Sequence, residues 1–219
     1  MDIHKIVVGQ LDVNCYIVSD GSAPDAIVID PGDEPELIAG LIEDKGLRPR
    51  HIIFTHAHYD HVCAARDLKD KYKASIVMHE DEIATYEMTK KLCMSWGYEA
   101  EDFPFPEIKV RDGHRISAGK ISLEIIHTPG HTPGGICIYG KKTLFTGDTL
   151  FKGSAGRTDL AGGNAGKLIS SLQKLSLLPP DTRVLCGHGD ETTIGYETKN
   201  NPFLGNRFLM RHHHRDIEK

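Results

Sequence analysis

Behind an apolar run, Ile52-Ile53-Phe54, the chain sets Thr55-His56-Ala57-His58-Tyr59-Asp60-His61. Four side chains able to bind a metal crowd into one short stretch. An apolar run ending in such a cluster reads as a buried strand that delivers polar groups at its C-terminal end, where α/β folds place their chemistry. His56 and His58, two apart, can point to one side of an extended loop. Asp60 and His61 fall where the next helix begins. The backbone turns there, so these two can face a second point in space.

Three later segments have the same build. Thr128-Pro129-Gly130-His131-Thr132-Pro133-Gly134-Gly135 follows an apolar strand, as do Phe145-Thr146-Gly147-Asp148 and Cys186-Gly187-His188-Gly189. Each is a short apolar run ending in one potential ligand flanked by glycine, which permits the sharp turn and leaves an ion room. Together the strand ends offer His56, His58, His61, His131 and His188 with Asp60 and Asp148. Nitrogen and carboxylate oxygen suit zinc, iron or manganese. Seven ligands exceed what one tetrahedral ion takes, and they suit two ions sharing a bridge.

The remaining chain reads as alternating strands and helices. Residues 3–8 and 13–18 form strands, and 26–29 a third, closed by Asp30-Pro31-Gly32. Over 34–45, Leu37, Ile38, Leu41 and Ile42 fall at helical spacing, and Gly46 can stop the helix. A strand over 51–54 leads to a helix over 63–72, a strand over 75–78 and an exposed helix over 79–96, before Phe103-Pro104-Phe105-Pro106 breaks the pattern. Further strands are expected around Ile116 and over 121–126, 136–139, 143–146 and 183–186, with a helix over 165–175. Each half supplies sheet and helices, which predicts an α/β sandwich of two sheets with outer helices.

Composition narrows the partners. With 39% hydrophobic and 26% charged residues in 219, an ordinary core is expected. A net charge of −5 offers no basic field to track a phosphate backbone, so no nucleic acid is expected as partner. No run approaches the ~18 apolar residues of a membrane span. Asp12 and Asn14 interrupt the apolar N-terminal stretch, so neither membrane nor signal peptide is expected. Cys15, Cys63, Cys93, Cys137 and Cys186 are odd in number and form no C-x-x-C pair, as in a cytoplasmic protein with reduced thiols.

In their order, these segments resemble the metallo-β-lactamase fold superfamily, from Asn14-Cys15-Tyr16 to Asn201-Pro202-Phe203-Leu204. The resemblance implies an αββα sandwich of two mixed β-sheets with outer helices, formed by residues 1–219 as one domain. It implies one ion on His56, His58 and His131, and a second on Asp60, His61 and His188, with Asp148 bridging. The ions would be zinc first, with iron or manganese as alternatives. Gly147 through Asp159, together with Gly187-His188-Gly189, Thr192-Thr193-Ile194-Gly195 and Asn201-Pro202-Phe203, is most similar to short glyoxalase II-like (hydroxyacylglutathione hydrolase-like) enzymes. True β-lactamases lack a counterpart of Asp148, which argues against antibiotic hydrolysis. About thirty residues follow His188, whereas full-length glyoxalase II holds glutathione partly with a longer helical region.

The implied reaction is hydrolysis of a small-molecule thioester by water made nucleophilic between two ions, its pKa lowered toward ~7. Asp60 orients that water as well as binding metal. The alternative is a persulfide dioxygenase. Those relatives hold one iron on the counterparts of His56, His131 and Asp148, and Gly156-Arg157-Thr158-Asp159 also resembles their sequence. A phosphodiesterase or nuclease ranks below both, given the acidic charge.

Other residues carry blander expectations. His127 should end its strand and hydrogen-bond, while His79 and His114 should lie on the surface or in turns. The charged run 80–91 reads as a solvated helix face, Cys63 as a small core residue, and His212-His213-His214 as a solvated tail. Arg157 either contacts substrate or braces the loop after Asp148. The pocket wall is expected from 96–106 and 196–203.

Overall fold

The computed structural model describes residues 1–204, so the His212–His214 stretch lies outside the described residues. The order is β1 (Asp2–Val8), β2 (Val13–Ser19), β3 (Asp25–Ile29), α1 (Pro35–Asp44), β4 (Arg48–Ile53), α2 (Ala65–Tyr72), β5 (Ser75–His79), α3 (Ile83–Ser95), β6 (Ile108–Val110), β7 (Arg115–Ala118) and β8 (Ile121–His127). Then come β9 (Ile136–Gly140), β10 (Thr143–Gly147), β11 (Leu150–Phe151), β12 (Ser154–Ala155), α4 (Ala165–Ser176), β13 (Arg183–Cys186), β14 (Thr192–Thr193) and α5 (Ile194–Asn200). None of the described helices is long and apolar enough to cross a membrane.

Both sheets are mixed. The first runs β1-β2-β3-β4-β5-β6 and the second β14-β13-β10-β9-β8-β7. In the first, β3, β4, β5 and β6 are parallel neighbours; in the second, β10 and β13 are. Alternation along the strands sorts their apolar residues into separate layers. Cys15, Ile17, Val28, Ile52, Ile76 and Met78 pack with Ile38, Ile42, Leu68 and Tyr86 of the helices outside the first sheet. The intervening residues Tyr16, Val18, Ile27, Ile29, Ile53 and Val77 meet Leu123, Ile125, Ile138, Phe145 and Leu185 of the second sheet. Beyond that sheet, Leu144, Val184 and Cys186 pack against Leu168, Leu172 and Leu175 of α4 and Ile194 of α5. The four layers are the αββα sandwich expected from the sequence. Strands buried on both faces read as the continuous apolar runs seen here.

Some short elements escaped the sequence reading. β6, β11, β12 and β14 each have two or three residues, too few to show a period. The stretch 196–203 was expected to wall the pocket. It instead supplies α5 and a brace: Asn201 Nδ2 donates to the carbonyls of Phe151 and Ser154 and to Glu197. All five cysteines are free.

Phe145 is fully buried between the sheets, its ring 5.3 Å from that of Tyr16. Phe145→Ala should cost about 3–5 kcal/mol, read as a lower urea midpoint at unchanged m-value.

Candidate metal centre

Loops from both sheets meet at one end of the sandwich, where backbone hydrogen bonds stitch them together. Gly187 N donates to Gly147 O and Asn14 N to Gly187 O, while Ile136 N donates to Thr55 O. Asn14 Nδ2 donates to the carbonyls of Cys186 and Gly189, and Tyr16 Oη to Cys186 at 2.7 Å. The early Asn14-Cys15-Tyr16 segment is thus the clamp that fixes the His188 loop.

All seven residues singled out from the sequence come together. Ligand atoms of His56, His58 and His131 lie within 4.8 Å of one another, as do those of Asp60, His61 and His188. His58 Nδ1 stands 3.0 Å from His131 Nε2, and His188 Nε2 stands 3.2 Å from Asp60 Oδ2. Asp148 lies between the two groups: its Oδ2 is 3.7 Å from His131 Nε2, and its Oδ1 is 3.5 Å from His61 Nε2 and 3.7 Å from His188 Nε2. Two nitrogens about 2.1 Å from one tetrahedral ion stand about 3.4 Å apart, close to these separations.

The rings are held by their other nitrogen. His61 Nδ1–H donates to Asp30 Oδ2 at 3.0 Å, His131 Nδ1–H to Arg157 O at 2.8 Å, and His188 Nδ1–H to Leu11 O at 2.9 Å. His56 Nδ1 meets Thr55 Oγ1 at 3.2 Å. Each bond occupies Nδ1 and turns Nε2 toward the centre, the usual support around metal-binding histidines. Asp30 takes three donors in all, including Thr55 N and Thr55 Oγ1.

His56 Nε2, His61 Nε2 and Asp148 Oδ1 are buried with no hydrogen-bond partner. Such atoms are uncommon in folded proteins, and three of the six buried unpartnered side-chain atoms among the described residues gather at this one point. Bound cations fit this lapse, one reached by His56 and the other by His61, with Asp148 between them. The local charge agrees. Burial and the neighbouring imidazoles hold His56 well below its ordinary value and His58 down at about 4, so both are neutral ligands. Burial pulls His61 down as well, but the Asp148, Asp30 and Asp60 carboxylates outweigh it and raise His61 to about 9. Burial pushes Asp60 up, yet His188 and His61 hold it down at about 2.

Two glycines make the approach possible. A Cβ on Gly32 would lie 1.7 Å from the carbonyl oxygen of Asp60, and one on Gly187 would lie 2.4 Å from Asp148 Oδ1.

The structure corrects several expectations. His79 is a buried residue at the end of β5, only 3% exposed. Its ring stacks on that of His127 with centroids 3.9 Å apart, because Val77 and His79 share the face turned toward the second sheet. His127 ends β8 and bonds Pro133 O, as expected; His114 lies in an exposed turn. The charged run 80–91 is not wholly solvated, for Glu82 is fully buried. Glu82 accepts from Ala57 N at 3.0 Å and Gly134 N at 2.6 Å, so it ties the His56–His58 loop to the His131 loop. Burial pushes its carboxyl up to about 7 against these donors. Nothing in the sequence separates Glu82 from the acidic neighbours Glu80 and Asp81. Arg157 braces through its carbonyl, while its exposed guanidinium pairs with Asp159. Cys63 is partly buried: it packs against the core beneath the helices of the first sheet, as expected, and also lines a cleft.

That cleft, about 390 Å³, opens beside Asp60, with Tyr59, Trp96 and Tyr98 on one side and Val8 and Leu11 on the other. A larger hollow, about 500 Å³, lies between Asp2, Ser22 and Lys45 and borders none of the seven residues.

The chain is similar to known proteins. A family model described as the Metallo-beta-lactamase superfamily matches residues 8–188. The hydroxyacylglutathione hydrolase GloC of Haemophilus influenzae is 37% identical over 218 residues, covering 94% of this chain and 100% of its own. Among solved structures, TTHA1623 in a di-iron-bound form superposes with a TM-score of 0.82 at 38% identity, over 92% of this chain and 100% of that one. The B3 metallo-beta-lactamase BLEG-1 superposes with a TM-score of 0.84 at 32% identity, over 94% and 100%.

Asp30→Ala should weaken metal binding about 10–100-fold, measured by competition with a chromogenic chelator. Glu82→Ala strips the acceptor from two buried N–H groups and should cost about 2–5 kcal/mol, read by urea unfolding.

Proposed function

Because the chain belongs to the metallo-β-lactamase superfamily, we propose that it is a dinuclear metal-dependent hydrolase of thioesters of the hydroxyacylglutathione type. The observation that carries this reading is Asp148, whose two oxygens face the two ligand groups separately. A carboxylate placed between two ions in this way can bridge them. The name of the Haemophilus relative supports the thioester, and the di-iron form of TTHA1623 supports two ions, iron among the candidates.

In this reading His56, His58 and His131 hold one ion and Asp60, His61 and His188 the other, with Asp148 shared. Bound there, two divalent ions supply Lewis acidity at the carbonyl and lower the pKa of water toward ~7. The chain does the positioning. Asp60 turns Oδ2 toward His188 and His61, and its other oxygen would accept a hydrogen bond from the attacking water and so orient it. The carbonyls of Leu11 and Arg157 and the carboxylate of Asp30 each hold one imidazole through Nδ1 and keep it correctly turned. Burial of the centre keeps competing solvent away from the charge that develops on the carbonyl oxygen, which strengthens every electrostatic contact there.

The test is hydrolysis of S-lactoylglutathione, followed by loss of thioester absorbance, with metal content measured on the same sample. Two ions per chain and turnover that chelation abolishes and metal restores are expected. Asp148→Ala should lower kcat/KM by at least about 10²-fold. Two bound ions without thioester turnover would sink the reading. One iron per chain with oxygen uptake on glutathione persulfide would replace it with the dioxygenase. Faster cleavage of a chromogenic β-lactam would replace it with the activity named for BLEG-1.

A further inference from the structure

The cleft beside Asp60 has walls that the hydrolysis of a small hydroxyacyl group does not require. Trp96, Leu11 and Tyr98 are 55%, 50% and 38% exposed and face one space. Exposed apolar side chains gathered around a concavity mark a binding surface more often than chance. Trp96 stands edge-to-face against Tyr59 with centroids 5.1 Å apart and planes at 86°. Tyr59 sits between His58 and Asp60 in the chain, so this aromatic wall is anchored directly to the ligand loop. The opposite wall is anchored too. Leu11 lines the cleft, and its carbonyl holds His188 Nδ1 at 2.9 Å. Whatever occupies the cleft therefore reaches the centre on the side of Asp60 and His188.

A hydroxyacylglutathione offers two halves to this space. The tripeptide half ends in carboxylates, while the cleft presents the carboxylate of Asp33. Like charges across a partly dry surface repel. The acyl half is uncharged. A lactoyl group offers a single methyl to a space of about 390 Å³, which leaves most of the aromatic and aliphatic wall uncovered. A phenyl ring covers it and can pack against Trp96, Tyr98 and Leu11 in the arrangements aromatic pairs favour.

We infer that this cleft is an acyl-binding subsite for hydroxyacyl groups carrying a planar apolar substituent, with Trp96 and Tyr98 as specificity-determining residues. The inference rests on the thioester reading for the reaction, but occupancy of the cleft can be measured without it.

The first measurement compares kcat/KM of the metal-loaded enzyme for S-mandeloylglutathione and S-lactoylglutathione, which differ by phenyl against methyl. A preference of at least about tenfold for the mandeloyl thioester is expected from burial of the ring. Trp96→Ala and Tyr98→Ala should each cut that ratio several-fold, while Trp96→Phe keeps most of it. A ratio of one or less in the unaltered enzyme overturns the inference, as does a ratio that both alanine variants leave intact.

The second measurement needs no turnover. Trp96 is the single tryptophan of the chain, so its fluorescence reports the cleft directly. Titration of the metal-loaded protein with mandelate should give a saturable change at a concentration at least about tenfold below that needed for lactate. Equal affinity for the two acids, or no saturable change with mandelate, overturns the inference even if both thioesters are hydrolysed. Saturable mandelate binding with neither thioester hydrolysed keeps the subsite and removes the thioester reading.

Discussion

Lone pairs aimed at one point repel, and this fold aims several of them. His56, His61, His131 and His188 each engage a protein group through Nδ1, which leaves Nε2 turned inward. The acceptors come from distant parts of the chain: Asp30 after β3, Leu11 between β1 and β2, and Arg157 after the small β11–β12 hairpin. The ligand cage is therefore a product of the finished sandwich. Only when both sheets have docked through the layer around Phe145 and Tyr16 do the imidazoles acquire their direction. In the proposed reading, a pair of cations would turn this repulsive arrangement into an attractive one.

A ring of buried polar braces surrounds that cage, and each brace joins two loops. Asp30 joins Thr55 to His61, Glu82 joins Ala57 to Gly134, and Asn14 joins β2 to the loop after β13. Farther out, Glu197 accepts from Gly153 N, Thr192 Oγ1 and Asn201 Nδ2, holding the β11–β12 hairpin against α5. Buried carboxylates are costly unless fully bonded. Here they are bonded, and they set the loops in the one arrangement that serves the centre.

The ligands themselves were legible in the sequence because each segment follows an apolar run, with four ligands crowded into residues 56–61 and the other three each beside glycine, both local patterns. The sandwich was legible for the same reason: alternation within 13–18, 26–29 and 121–126 puts one set of side chains between the sheets and the other beneath the helices. The braces were hidden because their role depends on contacts far away in the chain. Glu82 lies in a run of like residues, and only the approach of Gly134, fifty-two positions on, makes it different. His79 was read as a surface residue because nothing local announces that β6 pairs beside β5 and closes the sheet over it. Asn201 and its neighbours, which resemble a family ending, fold as a structural strut, so a recognisable motif need not touch the chemistry. The cleft was half legible. The stretch from Trp96 was expected to wall the pocket, but residues 8–11 carry no motif that points to it.

The short connection between β1 and β2 has a divided role. Its Leu11 side chain faces the cleft while its carbonyl steers His188. Selectivity and cation retention are consequently mechanically linked. A lineage that remodels this hairpin to admit a new acyl group also retunes its grip on one ion, and each solution has to be found for both at once.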